Sequence, residues 1–190
     1  MLVAVVCNMK NTVKLTACGV ISALAVALML GTNIPIMLYT VPALTGILFM
    51  IPAIEFDSKW AFLCFGVTAV LSFILPTERE AFVMFVGLLG YYPILKMLIE
   101  RLPSRALGFV LKFIAFNVSL AGCVLAITKI LGLPFFENKY FDFSTTAIIV
   151  AVVGNVVFLM YDLVLTRLIG MYFVKFRKTV RKTLGIKGKF

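Results

Sequence analysis

Residues 15–31, LTACGVISALAVALMLG, carry no charged side chain; Lys10 and Lys14 precede them and the neutral turn Thr32-Asn33 follows. A membrane crossing needs roughly 20 mostly apolar residues to traverse about 30 Å of hydrocarbon, so this stretch reads as a span. The same unit recurs over 34–54, 60–76, 81–99, 106–131 and 143–173, with a basic tail at 174–190. Composition agrees: 63% apolar, 14% charged and a mean hydropathy of +1.11 leave too little polar surface to coat a water-soluble fold. In lipid, backbone groups must be satisfied within the segment, so each run is expected to be a helix. The expected fold class is an all-α integral membrane protein, a six-transmembrane-helix bundle forming a single membrane domain. The sixth run exceeds one crossing, and its end is expected to tilt or to lie in the interface.

The cations set an orientation. Lys10 and Lys14 precede the first run, Lys59 follows the second, Lys96, Arg101 and Arg105 surround the fourth junction, and Arg167 through Lys189 crowd the C-terminal end. The alternate junctions hold Thr32-Asn33, Thr77-Glu78-Arg79-Glu80 and Glu137-Asn138-Lys139-Tyr140-Phe141-Asp142, which are neutral or net acidic. Lys and Arg gather in cytoplasmic loops, so both termini are expected in the cytoplasm. The formal charge of +10 is then a topology signal. Lys175, Arg177, Lys178, Arg181 and Lys182 are expected against anionic lipid headgroups. Nucleic acid is not an expected partner, because the tail has no interleaved aromatic beyond Phe176 and no recognisable module. Residues 1–8 are apolar and lie before the first cations, the reverse of a signal peptide's order; an upstream extension without structural role is expected, and no cleavable signal.

Absences narrow the chemistry. The chain has no His, the commonest neutral-pH base and metal ligand. Cys7, Cys18, Cys64 and Cys123 have no metal-ligand spacing, and the last three read as small packing groups inside spans. No phosphate-binding G-x-x-x-x-G-K-[ST] loop is present, so energy for any active transport must come from a partner or an ion gradient. No metal, cofactor or catalytic residue is expected.

Gly19, Ala23 and Ala27 recur every four residues in the first run, a stripe that lets another helix approach closely. Spacing alone leaves two readings open, packing within the bundle and docking of a different subunit. In size, span number, terminus placement and the Ala23-x-x-x-Ala27 pattern, the chain resembles the substrate-binding S component of an energy-coupling-factor (ECF) transporter. The resemblance implies a bacterial cell-membrane protein that captures a vitamin or related micronutrient at the outer face. It further implies that the stripe meets a transmembrane scaffold (T) subunit driven by two ATP-binding subunits, and that the whole subunit topples to release its cargo inward.

A ligand would be held by polar groups in the outer loops and outer halves of the spans, where each polar side chain is costly. Glu78, Arg79 and Glu80, where the third and fourth spans meet outside, can clamp a ligand by charge-assisted hydrogen bonds, or form a solvated turn. Asn33 and Tyr39 flank the first outer turn, a lid in the resembled family; otherwise they are turn chemistry and an interfacial anchor. Asn117 and Asn155 offer paired donors and acceptors to a ring edge, or tie two helices together. Lys129 can neutralise a ligand anion or snorkel to headgroups, and Lys139 and Tyr140 are weaker candidates of the same kind.

Asp162 and Lys112 both fall in the inner halves of their spans and are expected to pair, with Arg167 as a second partner. A proton or sodium site at Asp162 is the alternative. Pro93 in Gly90-Tyr91-Tyr92-Pro93 cannot donate to the carbonyl of Leu89, so the fourth span should bend there, with Tyr91 or Tyr92 lining a pocket or simply packing a kink. Pro35, Pro42 and Pro52 imply an irregular second span. Three function classes compete: the transport subunit; a non-transport structural or assembly protein of the cell envelope; and an ion-coupled secondary transporter or an intramembrane enzyme working at Glu78 and Glu80.

Overall fold

A computed structural model describes residues 11–75, 78–129 and 143–183. Lys139 and Tyr140, expected near a ligand, and residues 1–8 lie outside the described residues. Helix α1 is Asn11–Leu30, α2 Thr40–Leu48, α3 Met50–Glu55, α4 Ser58–Ile74, α5 Arg79–Met84, α6 Tyr92–Ile99, α7 Arg105–Lys129, α8 Phe143–Met171 and α9 Arg177–Thr183. Counted as continuous courses, four are long and apolar enough to cross a membrane: Asn11–Asn33, Arg79–Ile99, Ala106–Lys129 and Ile148–Lys182. Two are shorter, Thr40–Glu55 and Ser58–Ile74. The chain is thus an all-α, multi-span membrane protein.

The prolines act where expected. Residues Pro35–Met37 form only a 3₁₀ turn, and the second course breaks at Phe49, where Pro52 has no N–H for the carbonyl of Leu48. In the fourth course α5 runs into a π-helical turn, Phe85–Leu89, closed by a bond from the Gly90 amide to the Phe85 carbonyl at 2.7 Å, before α6 starts around Pro93. The Leu89 carbonyl that Pro93 leaves free accepts the Tyr161 hydroxyl at 3.3 Å; the same phenol lies 3.2 Å from the carbonyl of Ala43. α2 comes so close here that a Cβ at Gly46 would sit 2.3 Å from the Leu89 oxygen.

Side-chain pairings fix helix directions. Cys18 meets Trp60 and Ser22 meets Cys64, numbers rising together, so α1 and α4 run parallel. Tyr92 and Lys96 meet Phe158 and Thr166, so α6 and α8 are also parallel, whereas Lys112 and Asn117 meet Asp162 and Asn155, making α7 antiparallel to α8. The start of α1 and the end of α9 therefore share one end of the bundle, with Thr12, Phe56 and Thr179 lining a common groove.

The sixth course runs past the expected end at 173: a π turn, Tyr172–Phe176, leads into α9. Its 35 residues measure about 50 Å at 1.5 Å per residue, beyond the ~30 Å of hydrocarbon, so its end leaves the apolar layer.

Candidate functional site

The face of α1 that packs inward carries Lys14, Ala17, Cys18, Ser22, Ala25, Val26 and Met29. Against α4, Ser22 donates to the carbonyl of Cys64 at 3.3 Å, and the Cys64 thiol lies 3.9 Å from the carbonyl of Cys18. Cys18, Cys64 and Cys123 are buried free thiols, as their packing role requires. Gly19, Ala23 and Ala27 stand on the other side of α1 and are exposed, and a Cβ added at Gly19 would meet no atom within 4 Å. Of the two readings of the stripe, packing within this bundle is thus not what the described residues do with it. Lys14, expected to precede the span, instead sits inside α1 and is 9% exposed.

At the end of the bundle where α2 and α5 begin, the outer candidates collect at a rim. Asn33 is exposed in the 3₁₀ turn Gly31–Asn33, and Tyr39 is exposed at the N-cap of α2. Glu78 holds the N-cap position of α5 without a side-chain capping bond, Arg79 begins the helix and Glu80 is half-buried in its first turn, where a carboxylate suits the positive helix end. Tyr39 and Glu80 face each other closely enough that the phenol is pushed above its ordinary range, by partial burial first and by the Glu80 carboxylate second. Lys129 is exposed in the last turn of α7, which ends beside the start of α5 since Cys123 meets the carbonyl of Val83.

Asn117 and Asn155 are brought together, but to each other. Each amide nitrogen donates to the other's oxygen at 3.0 Å and to the carbonyl one turn before it, Phe113 at 2.9 Å and Ala151 at 2.8 Å. Both N–H groups of both amides are thereby spent, one of each on joining α7 to α8 and the other on its own helix. Phe116 stacks on Phe158 one turn further along, with ring centroids 4.2 Å apart.

The opposite end is organised by charge. Asp162 and Lys112 approach to 3.6 Å, as expected, but the closer partner is Lys96, whose side chain is wholly buried. Its ammonium spends all three donors: Asp162 Oδ1 at 2.5 Å, the Asp162 carbonyl at 2.9 Å and the Thr166 hydroxyl at 2.7 Å. Tyr92 donates to the same Asp162 oxygen, so it packs the kink as a polar anchor, and Lys112 bonds Glu100 at 2.7 Å. Two ammonium and two carboxylate groups thus balance in one cluster, the condition under which burying charge is tolerable. Lys96, read as an interfacial cation, takes the place expected for Arg167, which is exposed and has no ion pair among the described residues. Tyr91 shares a hydrogen bond with Ser119 of α7.

A second charge site went unread in the sequence. The Glu55 carboxylate at the end of α3 is fully buried and accepts from Tyr172 at 3.3 Å, Arg177 Nε at 3.2 Å and Arg181 Nε at 2.8 Å. The signal was there: Arg177 and Arg181 are four apart, on one helix face, and Glu55 is a lone carboxylate at the close of an apolar run. Lys96 likewise follows Tyr92 by one turn. Among the described residues no group of His, Cys, Asp and Glu suits a metal ion. No protein-family model matches the chain, and neither a curated protein nor a solved structure matches it. Helix length and apolar composition define its class, a multi-span helical membrane protein.

Proposed function

We propose that this chain is the substrate-capture subunit of an energy-coupling-factor type importer, binding a vitamin or related micronutrient at the outer face and releasing it inward when attached to an ATPase module. The observation that carries the reading is the open stripe: α1 turns one small-residue face to α4 and leaves Gly19, Ala23 and Ala27 bare, where a scaffold helix can approach closely. In this reading the end bearing Glu55, Lys96 and α9 faces the cytoplasm. Asn33, Tyr39, Glu78, Arg79, Glu80, Lys129 and Lys139 then belong to the capture face. Asn117 and Asn155 hold the last two helices below it.

Ala23→Trp combined with Ala27→Trp is expected to abolish co-purification with the scaffold subunit while leaving the thermal melt unchanged; retained association refutes the docking role. Mass spectrometry of small molecules carried through purification, together with a thermal-shift panel of vitamins, tests capture, and stabilisation by one of them is the expected outcome. A second reading, an envelope assembly protein without cargo, is favoured by the self-satisfaction of the intramembrane polar groups, Asn117 with Asn155 and Lys96 with Asp162. No stabilising vitamin and no scaffold partner would select it.

A further inference from the structure

The hairpin from α1 to α2 carries no charged side chain between Lys14 and Glu55, its turn included. That turn is apolar and bare: Ile34, Met37 and Tyr39 are exposed, and Ile36 is 89% exposed. We infer that the turn is seated in the membrane interface at its end of the bundle, with Ile34, Ile36 and Met37 pressed into the lipid beside the helices and Tyr39 at headgroup depth.

Helix length places the turn at that depth. Ser58–Ile74 has 17 residues, about 26 Å at 1.5 Å per residue, and Thr40–Glu55 is shorter still, against ~30 Å of hydrocarbon. Tilt only reduces the depth that each course covers. Asp57 and Lys59, at the junction between these two courses, belong at the polar boundary on the opposite side, so the shortfall lies at the end where the turn is. α4 ends there in the same way, with Phe73 and Ile74 in its last turn 76% and 72% exposed. Backbone pairing suits the turn to lipid, where a segment must satisfy its own polar groups. The Ile34 amide donates to the Gly31 carbonyl at 3.2 Å and the Met37 amide to the Ile34 carbonyl at 2.8 Å, while Pro35 has no amide hydrogen to satisfy. The hydroxyls of Thr32 and Thr40 are given to the carbonyls of Met29 at 2.7 Å and Met37 at 3.4 Å. Tyr39 adds an aromatic ring with one polar tip, the kind of side chain that collects at headgroup level. This inference stands independently of the transport reading.

Cysteine accessibility of the full chain in phosphatidylcholine nanodiscs, which leave both faces open to water, tests it. In a Cys7→Ser background, whose remaining native thiols are buried, Ile36→Cys is compared with Arg79→Cys, both positions being exposed in the protein. Arg79→Cys is expected to react readily with a charged maleimide, and Ile36→Cys to react about tenfold more slowly because lipid covers it. A separate variant, Trp60→Phe with Ile36→Trp, carries the chain's one tryptophan in the turn, and its emission is expected to be lost when the lipid chains are brominated. Equal reaction rates at the two cysteines overturn the proposal. Slow reaction of Ile36→Cys combined with undiminished tryptophan emission in brominated lipid also overturns it, because the turn is then covered by protein or by a captured molecule.

Discussion

Helix α1 lies against α4 through small side chains and close backbones, whereas α8 is held by a few polar bonds and stacked rings. In the most apolar stretch of α1, 39% of residues are buried; in that of α8, 11%. Lipid supplies no hydrophobic force to press one apolar helix on another, so association rests on close packing or on hydrogen bonds and ion pairs. The molecule uses the first at α1 and the second at α8. The first spreads its stabilisation over many weak contacts and tolerates single losses. The second concentrates it in groups that are expensive to orphan.

The largest expected effect breaks the α8 side. Lys96→Met leaves the partly buried Asp162 beside a single, more distant cation and should destabilise the bundle by about 3 kcal/mol, measured by unfolding in mixed micelles. Adding Asp162→Leu should restore most of that loss, because no unpaired charge remains. On the packed side the contrast is steric. Gly46→Ala drives a methyl into the Leu89 carbonyl and should cost about 1–3 kcal/mol, while Gly19→Ala on the open stripe should change stability by less than about 0.5 kcal/mol. Glu55→Gln keeps one acceptor but gives up the charge on two arginines that can turn to water, so about 1 kcal/mol is expected. Its clearer sign is faster tryptic cleavage after Arg177 and Arg181. Among the polar groups the smallest effect belongs to Asn117→Leu, about 0.6 kcal/mol by the same unfolding assay; a loss several times larger would mean that the amide pair, not the charge cluster, holds α8.

Legibility in the sequence divides along the same line. The apolar runs, the bend before Pro93, the broken second course and the Lys112–Asp162 approach were all readable, because a proline's missing donor and a charge inside hydrocarbon act locally. Which side of α1 faces α4 was not. In water a helix advertises its packed face by amphipathic contrast; in lipid both faces are apolar, and Gly19 and Ala25 look equally suited to contact. Lys96 was misplaced because a cation near a span's end reads as interfacial until its three acceptors are brought from α8. Glu55 was missed because its partners lie more than a hundred residues away. Of the candidate capture residues, the rim placement of Asn33, Tyr39 and Glu78 to Glu80 followed from span boundaries alone. The mutual bonding of Asn117 and Asn155 required knowing the helix directions.

The π turn at Phe85–Leu89 has one more consequence, concerning phase. An extra residue in a helical turn rotates everything after it by about 100° relative to what comes before. That rotation aims Tyr92 and Lys96 at α8 while Phe85 keeps its place among Phe49 and Phe65. Deleting a single residue here would yield a smoother helix with an unchanged composition. It would also swing the ammonium of Lys96 away from Asp162, so the irregularity works as a clutch that sets the angle between an aromatic half and a charged half of one membrane crossing.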